Sequence, residues 1–396
     1  MPTASGRSPV SRSTNGICSN HVATIHCRSP DRAQRNPGSE SKRVPRISLR
    51  SIRATWLYKN TMLTEYDKLP DGLLEASVEE LEALLGGPAL IHLPGRRPAP
   101  LFVTVLSHGN ESTSFYAVQA LLQKWRDREL PRALSIFIGN VKAASQTQRF
   151  LEGQADYNRA WPGTEDPDSP EAQMMQLIVD RMRERKAFAS IDLHNNTGIN
   201  PHYACINRVD NQFLHLASMF SRTVVYFIRP LGVQSMAMSY VCPSVTIECG
   251  KPGHKYGVEH ARDYVDACLH LSELPQHPVA SHDVDLFHTV AIVKVRENVS
   301  FGFGDESVDL RLVNDMDHLN FRELPSGTQL GWLKDNGLIA LDVCDDNGQE
   351  VYEKYFSVDA GALVTARPLM PSMFTLDEKI IRQDCLGYLM EKLFPE

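Results

Sequence analysis

Leu101-Phe-Val-Thr-Val-Leu-Ser-His-Gly-Asn-Glu111 decides the reading of this chain. Its first six residues are apolar except for one threonine, as in a strand buried on both faces, and the run closes on two ionisable groups, His108 and Glu111. The arrangement recurs downstream. Phe188-Ala-Ser-Ile-Asp-Leu-His194 closes on a histidine, and Val245-Thr-Ile-Glu248 closes on a glutamate. An ionisable group at the end of an apolar strand needs a partner. In open α/β sheets, ligands gather outside the carboxyl ends of the strands.

Two imidazoles and a carboxylate suit a catalytic zinc, which takes three protein ligands and leaves one position for water. The H-x-x-E spacing sets His108 at the strand end and Glu111 in the opening turn of a helix. Gly109 between them is expected to let the backbone turn sharply. Taken singly, His108 reads equally well as a polar strand cap, His194 as a core histidine and Glu248 as a surface or helix-capping carboxylate. Their joint occurrence favours one metal site with Glu248 beside it.

Outward from these strands, apolar spacing predicts helices over 72–84, 112–128, 170–187, 211–221 and 257–272. Strands are predicted over 90–93, 101–107, 135–138, 188–193, 224–228 and 244–248, with a turn over 94–98. Strands alternating with helices imply a mostly parallel sheet covered by helices on both faces, an α/β fold. Beyond Pro275-Gln-His-Pro278 the pattern becomes short β runs, at 286–295, 308–313, 338–343 and 362–365. A closing helix is predicted near 376–393. The expected organisation is therefore a basic tail over 1–61, a catalytic domain over 62–278 and a small β-rich domain over 279–396.

Net charge is −7, but it is unevenly placed. Residues 1–61 carry 11 Lys/Arg against 2 Asp/Glu, and the remainder carries 30 against 46. An acidic body argues against a nucleic-acid partner. The tail is too poor in apolar residues to offset its ordering entropy and reads as disordered, with a start at Met62 as the competing explanation and a transit-like peptide as a third. No apolar run is long enough to span a bilayer, so no membrane partner is expected. Eight cysteines without a C-x-x-C pair suggest a reduced, cytoplasmic setting.

Several motifs together resemble the succinylglutamate desuccinylase/aspartoacylase family, a branch of the zinc carboxypeptidase-like fold. They are Ser107-His-Gly-Asn-Glu111, Gly139-Asn-Val-Lys-Ala143, Arg149-Phe150 with Asp156-Tyr-Asn-Arg159, Asp192-Leu-His194 and Val245-Thr-Ile-Glu-Cys-Gly250. The resemblance implies one zinc ion per chain on His108, Glu111 and His194. It implies Glu248 as general base, Arg149 polarising the scissile carbonyl, and Asn158 with Arg159 holding a substrate carboxylate. His202 becomes a substrate-binding candidate, with a flanking-loop histidine as its plain alternative; for Arg159 that alternative is an ion pair with Asp156 or Glu152.

The implied reaction is removal of an acyl group from a small N-acyl amino acid or a related molecule. A metallo-carboxypeptidase acting on short peptides and a catalytically silent zinc-binding protein are the rivals. The expected partner is a small-molecule substrate, and a homo-oligomer is compatible with the sequence. Val141 stands where the family's loop has proline. The stretch 232–241 lacks the arginine that aspartoacylase proper places before its glutamate, and the region around Pro371-Ser-Met-Phe374 lacks a matching tyrosine. Met236 and Met238 suggest a more apolar pocket wall, although packing is the commoner role of methionine.

Overall fold

The strand opening on Gly95 settles how the sheet is covered, because its side chains alternate between two cores. Leu101, Val103 and Val105 enter one apolar cluster and Phe102 enters another, as the two-residue period of a strand requires. This is a computed structural model, and it describes residues 62–393. The expected basic tail and its alternative start lie outside the described residues.

In chain order the strands are β1 (Thr64–Tyr66), β2 (Ala89–Leu93), β3 (Gly95–Val105), β4 (Leu130–Ile138), β5 (Ala189–His194), β6 (Tyr203–Ile206), β7 (Thr223–Tyr226), β8 (Ser244–Glu248) and β9 (Asp285–Val295). They continue as β10 (Phe301–Phe303), β11 (Leu310–Leu312), β12 (Gln329–Leu333), β13 (Leu341–Asp345), β14 (Phe356–Asp359), β15 (Ala362–Thr365), β16 (Met370–Ser372) and β17 (Gly387–Leu393). The large sheet runs β1-β2-β4-β3-β5-β8-β6-β7-β9-β17-β16, with β13 also paired to β9. From β3 to β8 the neighbours β4–β3–β5–β8 are all parallel, so their carboxyl ends share one edge. Five further strands form a separate sheet, β10-β11-β12-β15-β14.

Helices Thr113–Trp125 and Lys255–His270 cover one face, burying Phe115, Val118, Leu121, Tyr264 and Val265. Helix Pro170–Glu184 covers the other through Met174, Met175, Ile178 and Met182. Pro170 at its start and Ser169 as its cap explain where it begins. The architecture is thus α/β with an additional small β sheet.

The expected break near 279 is not a break in the sheet. β9 pairs in parallel with β7 and antiparallel with β17 and β13, so strands after residue 279 extend the main sheet. Three local expectations also change. The single helix over 72–84 is two short pieces, Val78–Glu80 and Leu81–Leu85, because Ser77 is extended and forms a capping box with Glu80. The turn over 94–98 is instead mostly the start of β3, drawn into the sheet by pairing with β4 at Gly95 and Arg97, with a register shift before Leu101. The closing helix is only Glu378–Gln383; Gly387–Leu393 form β17, which pairs with β9 and β16 instead. Among the described residues no helix is long and apolar enough to cross a membrane.

Trp161 is fully buried and meets Phe102 and Phe137 edge-on, at centroid distances of 6.5 and 6.0 Å. Trp161→Ala is expected to cost ~3–5 kcal/mol in urea unfolding; a loss below ~1 kcal/mol would show that this cluster collapses to refill the gap.

Candidate metal centre and active-site cavity

The end of β3 is bent by Leu106, whose φ of 55° is left-handed. A leucine adopts this conformation only when its surroundings impose it. Its N–H donates to Ser114 Oγ at 3.1 Å, and that hydroxyl donates to the Glu111 carbonyl at 2.9 Å. On the other side, the N–H of Asn140 donates to the Leu106 carbonyl at 2.7 Å. Asn140 also caps its own short helix by accepting from Ala143 N. The Gly139–Ala143 motif is therefore a brace for the strand end.

Gly109 has a different role from the one expected. It does not need a left-handed conformation; a Cβ there would lie 2.3 Å from the backbone of Ala143 and Ala144. Close approach of two backbones is what excludes a side chain. The Gly109 N–H donates to the Arg149 carbonyl at 3.0 Å, which seats Arg149 beside the metal motif.

His108 Nδ1 lies 2.7 Å from Glu111 Oε1, and His194 Nδ1 lies 2.8 Å from Glu111 Oε2. All three residues are buried, and one ligand atom from each falls within 4.8 Å of the others. The far nitrogen of each ring faces another carboxylate: His108 Nε2 is 3.1 Å from Asp156 Oδ1, and His194 Nε2 is 2.9 Å from Asp192 Oδ2. A carboxylate behind each imidazole orients the ring and leaves Nδ1 to face the centre, the usual support for metal-bound histidines. The donor set fits a zinc-like cation. Burial works against the Glu111 charge, but His108 and His194 outweigh it and hold the carboxyl far below its usual range.

Glu248 sits across from His194 on the adjacent parallel strand. It accepts from Asn196 Nδ2 at 3.3 Å. Burial pushes its carboxyl up to about 7, opposed by His194 and aided by Glu111. The loop after β8 closes over this edge: Gly250 has φ +74°, and its carbonyl accepts from Asn195 Nδ2 at 2.7 Å.

His108, Glu111, His194, Glu248, Arg149, Asn158 and Arg159 all line one cavity of ≈ 710 Å³, counting the space open to solvent. Arg149 Nη2 donates to Asp156 Oδ2 and to Asp384 Oδ2, both at 3.1 Å. Arg159 Nη2 donates to Asp384 Oδ1 at 2.7 Å. Burial opposes the charge of Asp384, yet Arg159 and Arg149 hold its carboxyl below the usual range.

His202 is the exception among the expected site residues. It does not line the cavity. Tyr203 and Cys205 do, and strand alternation turns their neighbour away. Its Nδ1 lies 2.8 Å from His260 Nδ1, and its ring stacks on Phe220. Met236 and Met238 are likewise absent from the wall; Met238 is packed in the core around Trp161. The apolar wall comes instead from Tyr203, Val225, Phe227, Pro230, Val233 and Met373.

Asp384 and Tyr388 also face the cavity, and sequence reasoning missed both. They lie beyond the motif region, in a segment expected to be helical, and carried no signal of their own. Asp156 and Asp192 were visible only as letters inside motifs.

A family model described as the succinylglutamate desuccinylase/aspartoacylase catalytic domain matches residues 101–269. Residues 101–269 belong to this family. The family domain thus contains the metal-type cluster and Glu248, whereas Asp384 and Tyr388 lie outside it. No curated protein matches the sequence. Among solved structures, the chain is similar to a succinylglutamate desuccinylase from Chromobacterium violaceum, at 16% identity over 76% of this chain and 87% of that one, with a TM-score of 0.49. It is also similar to murine aminoacylase 3, at 16% identity over 75% and 95%, with a TM-score of 0.47.

Gly109→Ala should fold poorly or lose ~1–3 kcal/mol of stability, since the clash is with backbone that cannot rotate away. It should also weaken metal retention. Thermal melting and metal content check this; a variant matching the parent in both would remove the close-packing role assigned to Gly109.

Proposed function

We propose that this chain is a zinc-dependent amidohydrolase that removes the acyl group from a small N-acyl amino acid or a related molecule. One observation carries the reading: two imidazole nitrogens and a carboxylate converge at the open edge of the sheet, with Glu248 one strand away and Arg149 in the same cavity. His108, Glu111 and His194 would hold the ion, one per chain. A zinc held there lowers the pKa of a bound water and polarises a carbonyl.

The rest of the chemistry falls to the chain's own groups. Glu248, with its raised affinity for a proton, accepts one from the attacking water and returns it to the leaving amine. Arg149 sets fixed positive charge beside the carbonyl oxygen as it becomes anionic. Asp156 keeps both Arg149 and His108 in place through its two oxygens. Asn158 and Arg159 form the polar wall that contacts the substrate. Catalysis is assigned to residues 62–278, with part of the cavity wall supplied from 279–396.

Glu248→Gln should retain metal and lose ~10²–10⁴ in turnover of a cleaved N-acyl amino acid. Retained turnover would remove Glu248 as the base. Cleavage restricted to peptides longer than two residues would replace the deacylase reading with a peptidase one. Asp192→Asn should fold normally but release metal ~10–100-fold more readily in chelator competition. An unchanged affinity there would mean that Asp192 does not orient His194.

A further inference from the structure

Three arginines line the cavity: Arg149, Arg159 and Arg229. Two are already matched by carboxylates. Asp384 bridges Arg149 and Arg159 with one oxygen on each, at 3.1 and 2.7 Å, and Asp156 takes a second contact from Arg149 at 3.1 Å. A substrate carboxylate arriving at Arg159 would have to displace Asp384. That would strand a buried carboxylate without its partner, a costly state.

Arg229 is in a different condition. It is half-buried, and its Nε donates to the backbone carbonyl of Asp346 at 2.8 Å. Among the described residues it makes no ion pair within 4.0 Å. The Asp346 carboxylate lies 2.8 Å from His288 Nε2 and feels Arg229 only through space, without a direct contact. The same cavity wall carries the apolar Val225, Phe227, Pro230 and Val233, close to Arg229 along the chain. A guanidinium beside such a surface attracts an anion more strongly than one in open water, and can grip a carboxylate with two parallel hydrogen bonds.

We propose that Arg229 is the specificity-determining cation of this site, receiving the carboxylate of an N-acyl amino acid with an apolar side chain, while Asp384 neutralises the Arg149–Arg159 pair. The assignment rests on the deacylase reading above for its substrate class. It moves anion recognition from the family's polar motif to a residue of the apolar wall. It leaves Arg149 and Arg159 to act by hydrogen bonding and local charge at the reacting amide.

The test compares N-acetyl-L-leucine with N-acetyl-L-leucinamide, which differ in the carboxylate alone. Hydrolysis and calorimetric binding of both are measured on the metal-loaded full chain. The parent should prefer the acid. Arg229→Gln should reduce the acid-over-amide preference about ten- to hundredfold, the usual worth of a hydrogen bond to a charged group. Arg229→Lys should retain more of it than Arg229→Gln, and Arg159→Gln should keep it.

Loss of the preference in Arg159→Gln, or its survival in Arg229→Gln, would overturn the proposal. If Arg229→Gln does not fold, Arg159→Gln decides alone: retention upholds the proposal and loss ends it. Acid-selective binding without hydrolysis of either probe would sink the deacylase reading and leave the Arg229 assignment standing. A parent with no preference for the acid would sink the assignment whether or not it hydrolyses the probes.

Discussion

Glu111 places one carboxylate oxygen against each of two imidazoles that come from different strands, and the geometry of the cavity follows from that contact. His108 and Glu111 reach it only because β3 ends in a left-handed leucine, held by hydrogen bonds from both sides. His194 reaches it because β5 lies beside β3 in parallel, so both strands finish at the same edge. The Asn195 N–H adds a further donor to Glu111 at 3.0 Å. A buried carboxylate held between two imidazoles and a backbone N–H has few ways to move, and it imposes a matching stiffness on the strand ends that supply them.

The parts of this arrangement that could be read from the sequence share a physical cause. Apolar strands broken by a single ionisable residue are rare because the charge has to be matched, so His108, His194 and Glu248 announced themselves. The unbroken apolar run Leu101-Phe102-Val103 likewise carried the two-sided cover of the sheet. What could not be read depends on distant pairing. Residues 94–98 contain two prolines and a glycine and so read as a turn, but pairing of Gly95 and Arg97 with β4 overrides that local preference. Gly109 was legible as necessary but not for the right reason, since the backbone it meets is some thirty-five residues away. His202 was a candidate only through the family resemblance, and a matching position does not say which way a side chain points; its ring lies against His260 and Phe220. Asp384 had no motif around it; its importance comes only from two arginines more than two hundred residues earlier.

The charge pattern of the cavity is more balanced than its arginines suggest. Counting cations alone would describe a strongly anion-seeking pocket. Counting partners shows two guanidiniums committed to Asp156 and Asp384, and one that is not. The same commitment gives the arginines fixed positions, since a bridging carboxylate restrains two flexible side chains at once. The cavity therefore combines ion-paired arginines near the metal-type cluster with an apolar wall.

That cavity is assembled from widely separated parts of the chain. The three metal-type residues and Glu248 all lie before residue 250, whereas Asp384 and Tyr388 come within the last fifteen residues. Met373 is tied down beside them by its N–H, which donates to Asn200 Oδ1 at 3.0 Å. Arg149 meets Asp156 within its own stretch of chain, whereas the Asp384 carboxylate that bridges Arg149 and Arg159 arrives from more than two hundred residues further on, so the pocket's charges are balanced in full only once that distant segment has docked.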